Sequence, residues 1–238
     1  FNNYYGKIHQ PFYLAGIAAG LKTKTNRIGF VSSWGKNVAL SAFKLNAFAM
    51  GVSSVNPKAK VFSYKINGYL NNKAETFAAN YLVKLKADVL AQDTYSTAPQ
   101  LVAQKNKIWS IGYNTDMSKV APDSVLLSVV WNWDVYYTDL INDIINNKWT
   151  GKNYFGSMKD GVVGITDLAK FNADGTDKKI KAAQKQFEDD SYDIYSGVIT
   201  TNEKTTVGTE GKLMDTYTLL YKSFWLYNNI VEVPLAKK

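Results

Sequence analysis

Apolar residues follow two rhythms along the first two thirds of the chain. Short, continuous apolar runs alternate with longer stretches whose apolar positions lie three and four apart. The runs read as buried strands and the stretches as helices. After a helical segment over 10–22, RIGFVSS (27–33) predicts a strand and 38–52 an amphipathic helix. Asn56-Pro57 breaks the chain before the next strand, AKVFSYK (59–65). A helix over 73–86 carries Phe77, Tyr81 and Leu85 four apart on one face. DVLAQ (88–92), KIWSIGY (107–113) and VLLSVVW (125–131) predict further strands, with helices over 98–105 and 135–147. The rhythm then weakens. KDGVVGI (159–165) and DIYSGVI (193–199) read as strands, 178–189 as a charged helix and 212–230 as a C-terminal helix.

Strands and helices that alternate through short connections give parallel strands joined by right-handed crossovers. The expected fold is therefore α/β, a doubly wound parallel sheet, and the continuous apolar strands agree with helices on both of its faces. LAGIAAGL (14–21) is the most apolar stretch, too short for the ~20 residues of a membrane span. There is no initiator Met and no signal-peptide pattern at Phe1.

Composition narrows the function. The net charge of +8 invites a nucleic-acid reading, but Arg27 is the only arginine, and the lysines are spread along the whole chain. Base and phosphate recognition leans on the planar guanidinium fork that lysine lacks, so no nucleic-acid partner is expected. With no cysteine there is no disulfide and no thiolate chemistry, and with His9 as the only histidine no His-rich metal site. His9 itself is expected at the surface or an interface. No metal or other cofactor is expected.

Ligands of open parallel sheets bind beyond the carboxyl ends of the strands. The loops there are SSWGKN (32–37), INGYLNN (66–72), QDTYSTA (92–98), YNTDMS (113–118) and WNWD (131–134). Most pair an aromatic ring with Asp, Asn or Thr, a set suited to a flat, hydrogen-bonding small molecule. The candidate ligand residues are Trp34, Tyr69, Asp93, Thr94, Tyr95, Asn114, Asp116, Trp131 and Asn132. Trp133 is left open between cleft and core, and Tyr136 and Tyr137 are expected between helix and sheet. GFVSSWG stands where a dinucleotide-binding GxGxxG would follow the first strand, and neither GxxxxGK[ST] nor GxSxG occurs. Asp93 and Asp116 are candidates for a carboxylate pair across two adjacent loops, which would be acid–base machinery in a hydrolase. Binding without catalysis is the simpler reading, with a nucleoside-processing hydrolase or a surface sensor or adhesive protein as alternatives.

KTKTNRIGFV (22–31), NAFAMGVSSVNPKAKV (46–61), ADVLAQDT (87–94), SIGYNTDMSKVAPDSVLLSVVWNW (110–133) and MKDGVV (158–163) occur in this order. In these motifs, over 4–172, the chain resembles the basic membrane protein family, substrate-binding lipoproteins of ABC transporters related to purine nucleoside receptors. The resemblance implies a type I periplasmic-binding-protein fold with one complete lobe and part of the second. It divides the chain into an N-terminal helical segment from the lobe junction (1–24), a Rossmann-like ligand-binding lobe (25–124), a partial return to the other lobe (125–200) and a C-terminal helix (201–238). It also implies a purine-like nucleobase or nucleoside as ligand, an ABC permease as partner, and an extracytoplasmic location. Attachment to the membrane would be only through a lipid anchor that this chain lacks. Tyr69, 92–96, Asn114 and Asp116 would line the cleft, with Trp131 at its edge. In the nucleoside-binding branch a lysine stands near the Trp131 position and helps hold the sugar, so tryptophan there implies a bare base or another flat heterocycle. The loop at 32–40 is about two residues longer than in the family. Family members also carry roughly a hundred residues before this region, about one lobe's first half. A fragment, or a short form with an incomplete cleft, is expected.

Overall fold

A computed structural model describes residues 2–189 and 191–234. The elements, in chain order, are β1 (Tyr4–Gly6), α1 (His9–Lys22), β2 (Arg27–Ser32), a 3-10 turn (Gly35–Asn37), α2 (Ala39–Val55), β3 (Lys60–Lys65), α3 (Asn72–Lys84) and β4 (Val89–Gln92). They continue with α4 (Ala98–Lys105), β5 (Trp109–Asn114), β6 (Val125–Trp131), α5 (Trp133–Ile145), β7 (Tyr154–Gly156), β8 (Val163–Ile165) and α6 (Thr176–Glu188). The chain closes with β9 (Ser196–Thr200), β10 (Thr206–Leu213), α7 (Thr216–Tyr221) and β11 (Ile230–Glu232).

Seven strands form the main sheet in the order β11-β3-β2-β4-β5-β6-β8. All its neighbours pair in parallel except β6 and β8, which are antiparallel. This is the expected α/β fold with a mainly parallel central sheet. Two separate cores cover the two faces. One joins α1, α2 and α6 through Phe12, Leu14, Phe30, Phe43, Phe48 and, from α6, Ile180 and Phe187; the other joins α3 and α4 through Ala78, Leu82, Val102 and Leu90. Every residue of α1 from His9 to Gly20 is buried, so the stretch around 14–21 is a core helix, apolar on all sides because protein surrounds it. Two glycines let α1 cross α2 at close range. A methyl group at Gly16 would strike the Phe48 carbonyl oxygen, and one at Gly51 the Tyr13 carbonyl oxygen.

Local chemistry sets the ends of the elements. Asn71 caps α3 by accepting a hydrogen bond from the Ala74 N–H at 3.0 Å, Pro99 opens α4 where no N–H is needed, and Asn56-Pro57 ends α2.

The chain departs from the sequence reading in three stretches. The N-terminal segment begins with β1, which pairs in parallel with β7 as a separate two-stranded sheet. The continuous helix expected over 212–230 is instead the end of β10, the six residues of α7, and an irregular return to β11. The Asp215 side chain caps α7 through the Thr218 N–H and hydroxyl, and β11 then adds beside β3, so long-range pairing overrides a helix-like apolar pattern. The last four residues of 201–238 lie outside the described part. His9, expected at the surface or an interface, is buried inside the chain at the start of α1, against the rings of Phe43 and Tyr195. Among the described residues no helix is long and apolar enough to cross a membrane.

Candidate functional site

The winding of the main sheet reverses between β2 and β4. At such a reversal the connections leave in opposite directions and open a crevice beyond the carboxyl ends of the strands. There the structure forms a cavity of about 370 Å³ lined by Tyr5, Leu40, Lys44, Tyr69, Tyr95, Tyr113, Asn114, Trp131 and Trp133.

Six of these nine residues are aromatic, and they make two walls. Tyr69, after β3, stacks on Tyr95, after β4, with ring centres 5.4 Å apart and planes inclined by 20°. Tyr113 at the end of β5 continues that wall, 6.2 Å from Tyr95. The loops carrying it are tied together. The Tyr95 N–H donates to the Tyr69 carbonyl at 2.8 Å. The buried Glu75 carboxylate accepts from the Asn71 N–H at 2.8 Å and the Ser96 hydroxyl at 2.6 Å. The opposite wall is a stacked pair, Trp131 and Trp133, 4.8 Å apart and inclined by 9°. Tyr5 of β1 packs edge-on against Trp131 at 5.2 Å. Trp133, left open by the sequence, thus faces the cavity because α5 starts at Trp133 itself.

The polar groups are few. Asn114 ends β5 in the left-handed backbone region (φ 72°), which asparagine tolerates. Lys44 projects from α2 one turn after Leu40 and is almost wholly buried. Its ammonium lies 3.2 Å from Asp93 Oδ2 and 5.2 Å from the centre of the Tyr113 ring. Burial opposes the Lys44 charge, but Tyr113 and Asp93 outweigh it and hold its pKa above the ordinary lysine value. Burial raises the Tyr5 and Tyr95 phenols above theirs, so both remain neutral hydroxyls.

Of the residues singled out from sequence, the structure brings Tyr69, Tyr95, Asn114 and Trp131 to this cavity. The others lie elsewhere, each for a physical reason. Asp93 is fully buried beneath the cavity and accepts hydrogen bonds from the Ser33 N–H (2.6 Å), the Ser33 hydroxyl (2.7 Å) and the Ser41 hydroxyl (2.8 Å). Thr94 is buried beside it. Trp34 contacts the outer edge of Tyr69, with rings 6.2 Å apart. Asn132 is occupied in joining α5 to the strand-side turn, donating from its side chain to the Gly161 carbonyl at 2.8 Å. Asp116 is exposed, accepts from the Ser118 N–H at 2.8 Å, and lines a different cavity with Thr166, Asp167 and Leu168. The carboxylate pair a hydrolase would need is therefore not assembled: one member is saturated with donors and the other faces another cavity. Of the two tyrosines placed between helix and sheet, Tyr136 is buried but Tyr137 is 42% exposed.

Sequence reasoning missed Tyr5, Leu40, Tyr113 and above all Lys44. Its signal was present: in ALSAFKLNAFAM the lysine shares a helix face with Leu40, Ala47 and Phe48, where an apolar residue is expected.

A family model described as ABC transporter substrate-binding protein PnrA-like (Bmp) matches residues 3–194. A putative ABC transporter glucose-binding protein of Haloferax volcanii is 29% identical over 194 residues, covering 82% of this chain and 49% of that protein. A purine-binding protein of Brucella abortus is 26% identical over 223 residues, covering 94% of this chain and 63% of that protein. The chain thus spans about half, and in the second case just under two thirds, of these relatives. Among solved structures, an ABC transporter solute-binding protein from Conexibacter woesei superposes with a TM-score of 0.66 at 13% identity, over 81% of this chain and 65% of that one. A transcriptional activator of the comK gene from Bacillus halodurans superposes with a TM-score of 0.70 at 18% identity, over 80% and 65%. These two share the fold.

Proposed function

The chain belongs to the Bmp family of PnrA-like ABC transporter substrate-binding proteins, and from that premise we propose that its aromatic cavity holds a purine-like nucleobase or nucleoside for delivery to a membrane permease. The observation that carries this reading is the pair of aromatic walls, Tyr69, Tyr95 and Tyr113 against Tyr5, Trp131 and Trp133, around a volume of about 370 Å³. That volume is near the lower end for small-molecule sites, ~300–1,000 Å³. Flat faces on both sides suit a flat heterocycle, and Asn114 with the tyrosine hydroxyls can meet its polar edge. The purine-binding relative supports the same choice.

In this role Asn114 and the neutral tyrosine hydroxyls meet the polar edge of the ligand, and Asp93 positions Lys44 from below. Stacking between the walls draws β1 and the start of α5 toward the main sheet. The permease then recognises the ligand-stabilised closed form outside the cytoplasm.

Calorimetric titration with hypoxanthine, adenine, inosine and glucose tests the reading. Binding of purines with no heat from glucose is expected. Trp131→Ala should weaken purine binding by about 1–3 kcal/mol, the usual worth of one base-stacking ring, while the circular dichroism spectrum stays unchanged. Asp116→Ala should leave the affinity unchanged. Wild-type affinity in Trp131→Ala would remove this cavity as the site.

A further inference from the structure

Lys44 is an expensive residue to bury, and its surroundings do not use all of it. An ammonium carries three N–H donors and no acceptor. One of them meets Asp93 at 3.2 Å, and among the described residues Lys44 forms no further ion pair or side-chain hydrogen bond, although the phenols of Tyr113, Tyr5 and Tyr95 also act on its charge. Nor does Asp93 require the lysine for its own hydrogen bonds, since two serine hydroxyls and a backbone N–H already converge on it. The side chain of Lys44 is only 4% exposed, so the remaining two donors lack a water-rich surface to turn to. The open space beside them is the cavity, which Lys44 lines.

Accepting the purine reading of the cavity, we propose that Lys44 makes the site selective for 6-oxopurines over 6-aminopurines. The aromatic walls cannot make that distinction, because both classes present the same flat faces. Along the edge the two differ sharply. A 6-oxopurine places two acceptors, O6 and N7, side by side, whereas a 6-aminopurine places an N–H donor beside N7. The two spare N–H groups of Lys44 match the first edge. Against the second, one of them faces another donor, and an unmade hydrogen bond at a buried ammonium costs the desolvation of that group. Base and nucleoside carry the same edge, so the preference holds for both.

The test compares hypoxanthine with adenine, and inosine with adenosine, by calorimetry on the wild-type protein. The oxopurine of each pair is expected to bind at least about tenfold more tightly. 7-Deazahypoxanthine, which keeps O6 but replaces N7 by C–H, should bind more weakly than hypoxanthine; this comparison needs no variant that might fail to fold. Lys44→Met combined with Asp93→Asn, which removes the ion pair without leaving a lone charge, should bring hypoxanthine and adenine within about threefold of each other, chiefly by weakening hypoxanthine. Equal or tighter binding of adenine in the wild type overturns the selectivity while leaving purine binding in place. Binding of none of the four overturns both.

Discussion

An ammonium as deeply buried as that of Lys44 is tolerable only because a carboxylate lies beside it, so the pair must be judged together. Asp93→Asn keeps the shape but removes the compensating charge and replaces one accepting oxygen by an NH2 donor. Breaking one partner of a buried pair costs about 3–5 kcal/mol, and that loss is expected in urea unfolding at neutral pH. A midpoint equal to wild type would mean that the lysine is solvated in the folded state after all. His9 makes a second residue-level prediction. Burial, helped by Lys7, pushes its pKa down to about 3 from the usual 6.5, so the folded protein holds a neutral imidazole. Between those two values the unfolded chain binds a proton that the folded chain refuses. Stability should therefore fall as pH drops from about 6.5 toward 3, by up to about 1.4 kcal/mol per pH unit from this group. His9→Phe keeps a ring against Phe43 and Tyr195 and should flatten that slope, whatever it does to absolute stability; an unchanged slope would assign the acid sensitivity to the carboxylates. Sequence revealed Tyr69, Tyr95, Asn114 and Trp131, because position at or just after a strand end alone marks them. It misplaced Asp93 and His9, because burial is decided by what other segments lay over them: Ser33 and Ser41 for the one, Tyr195 for the other.

At the level of elements, the repeating strand–helix part was legible because its strands are short, largely apolar runs and Asn56-Pro57, Asn71 and Pro99 mark ends of α2, α3 and α4. The closeness of α1 to α2 was not legible in the sequence, where 14–21 stands out only as the most apolar stretch. Gly51 faces a backbone carbonyl, not a side-chain tip, so an added methyl group cannot be accommodated by a rotamer change. Gly51→Ala should shift the helices apart and cost about 1–3 kcal/mol, read as a lower thermal midpoint. Its natural control is Gly68, where an added methyl group meets nothing within 4 Å. Equal midpoints for the two substitutions would show that the helix pair yields easily. The C-terminal stretch was misread for a different reason. Its pairing partners, β3 for β11 and Asn46 for the Tyr227 N–H, lie far away in sequence, and no local pattern announces them.

Over the whole molecule, the cavity is shared between parts of unequal firmness. Tyr69, Tyr95, Tyr113 and Trp131 stand at or just beyond the ends of main-sheet strands, of which β2, β4 and β5 are buried almost throughout. Tyr5 stands on the two-stranded β1–β7 sheet, and Trp133 on α5, which buries only Tyr136 and leaves Ile141, Ile144 and Ile145 exposed. Segments with so little buried surface open more readily than a core. A ligand gripped by both walls binds the docked arrangement and not the opened one, so it must stabilise the weaker part selectively. At a free ligand concentration a hundredfold above Kd that stabilisation is about 2.7 kcal/mol. Hydrogen exchange with and without ligand should therefore slow most in β1, β7 and the first turn of α5, and little in β2 and β4, whose amides already exchange only through larger openings. Protection confined to the loops after β3 and β4 would mean that the ligand rests on one wall alone. In that case the bridging by Tyr5, Trp131 and Trp133, and the closed form built on it, would have to be abandoned even if binding itself were tight.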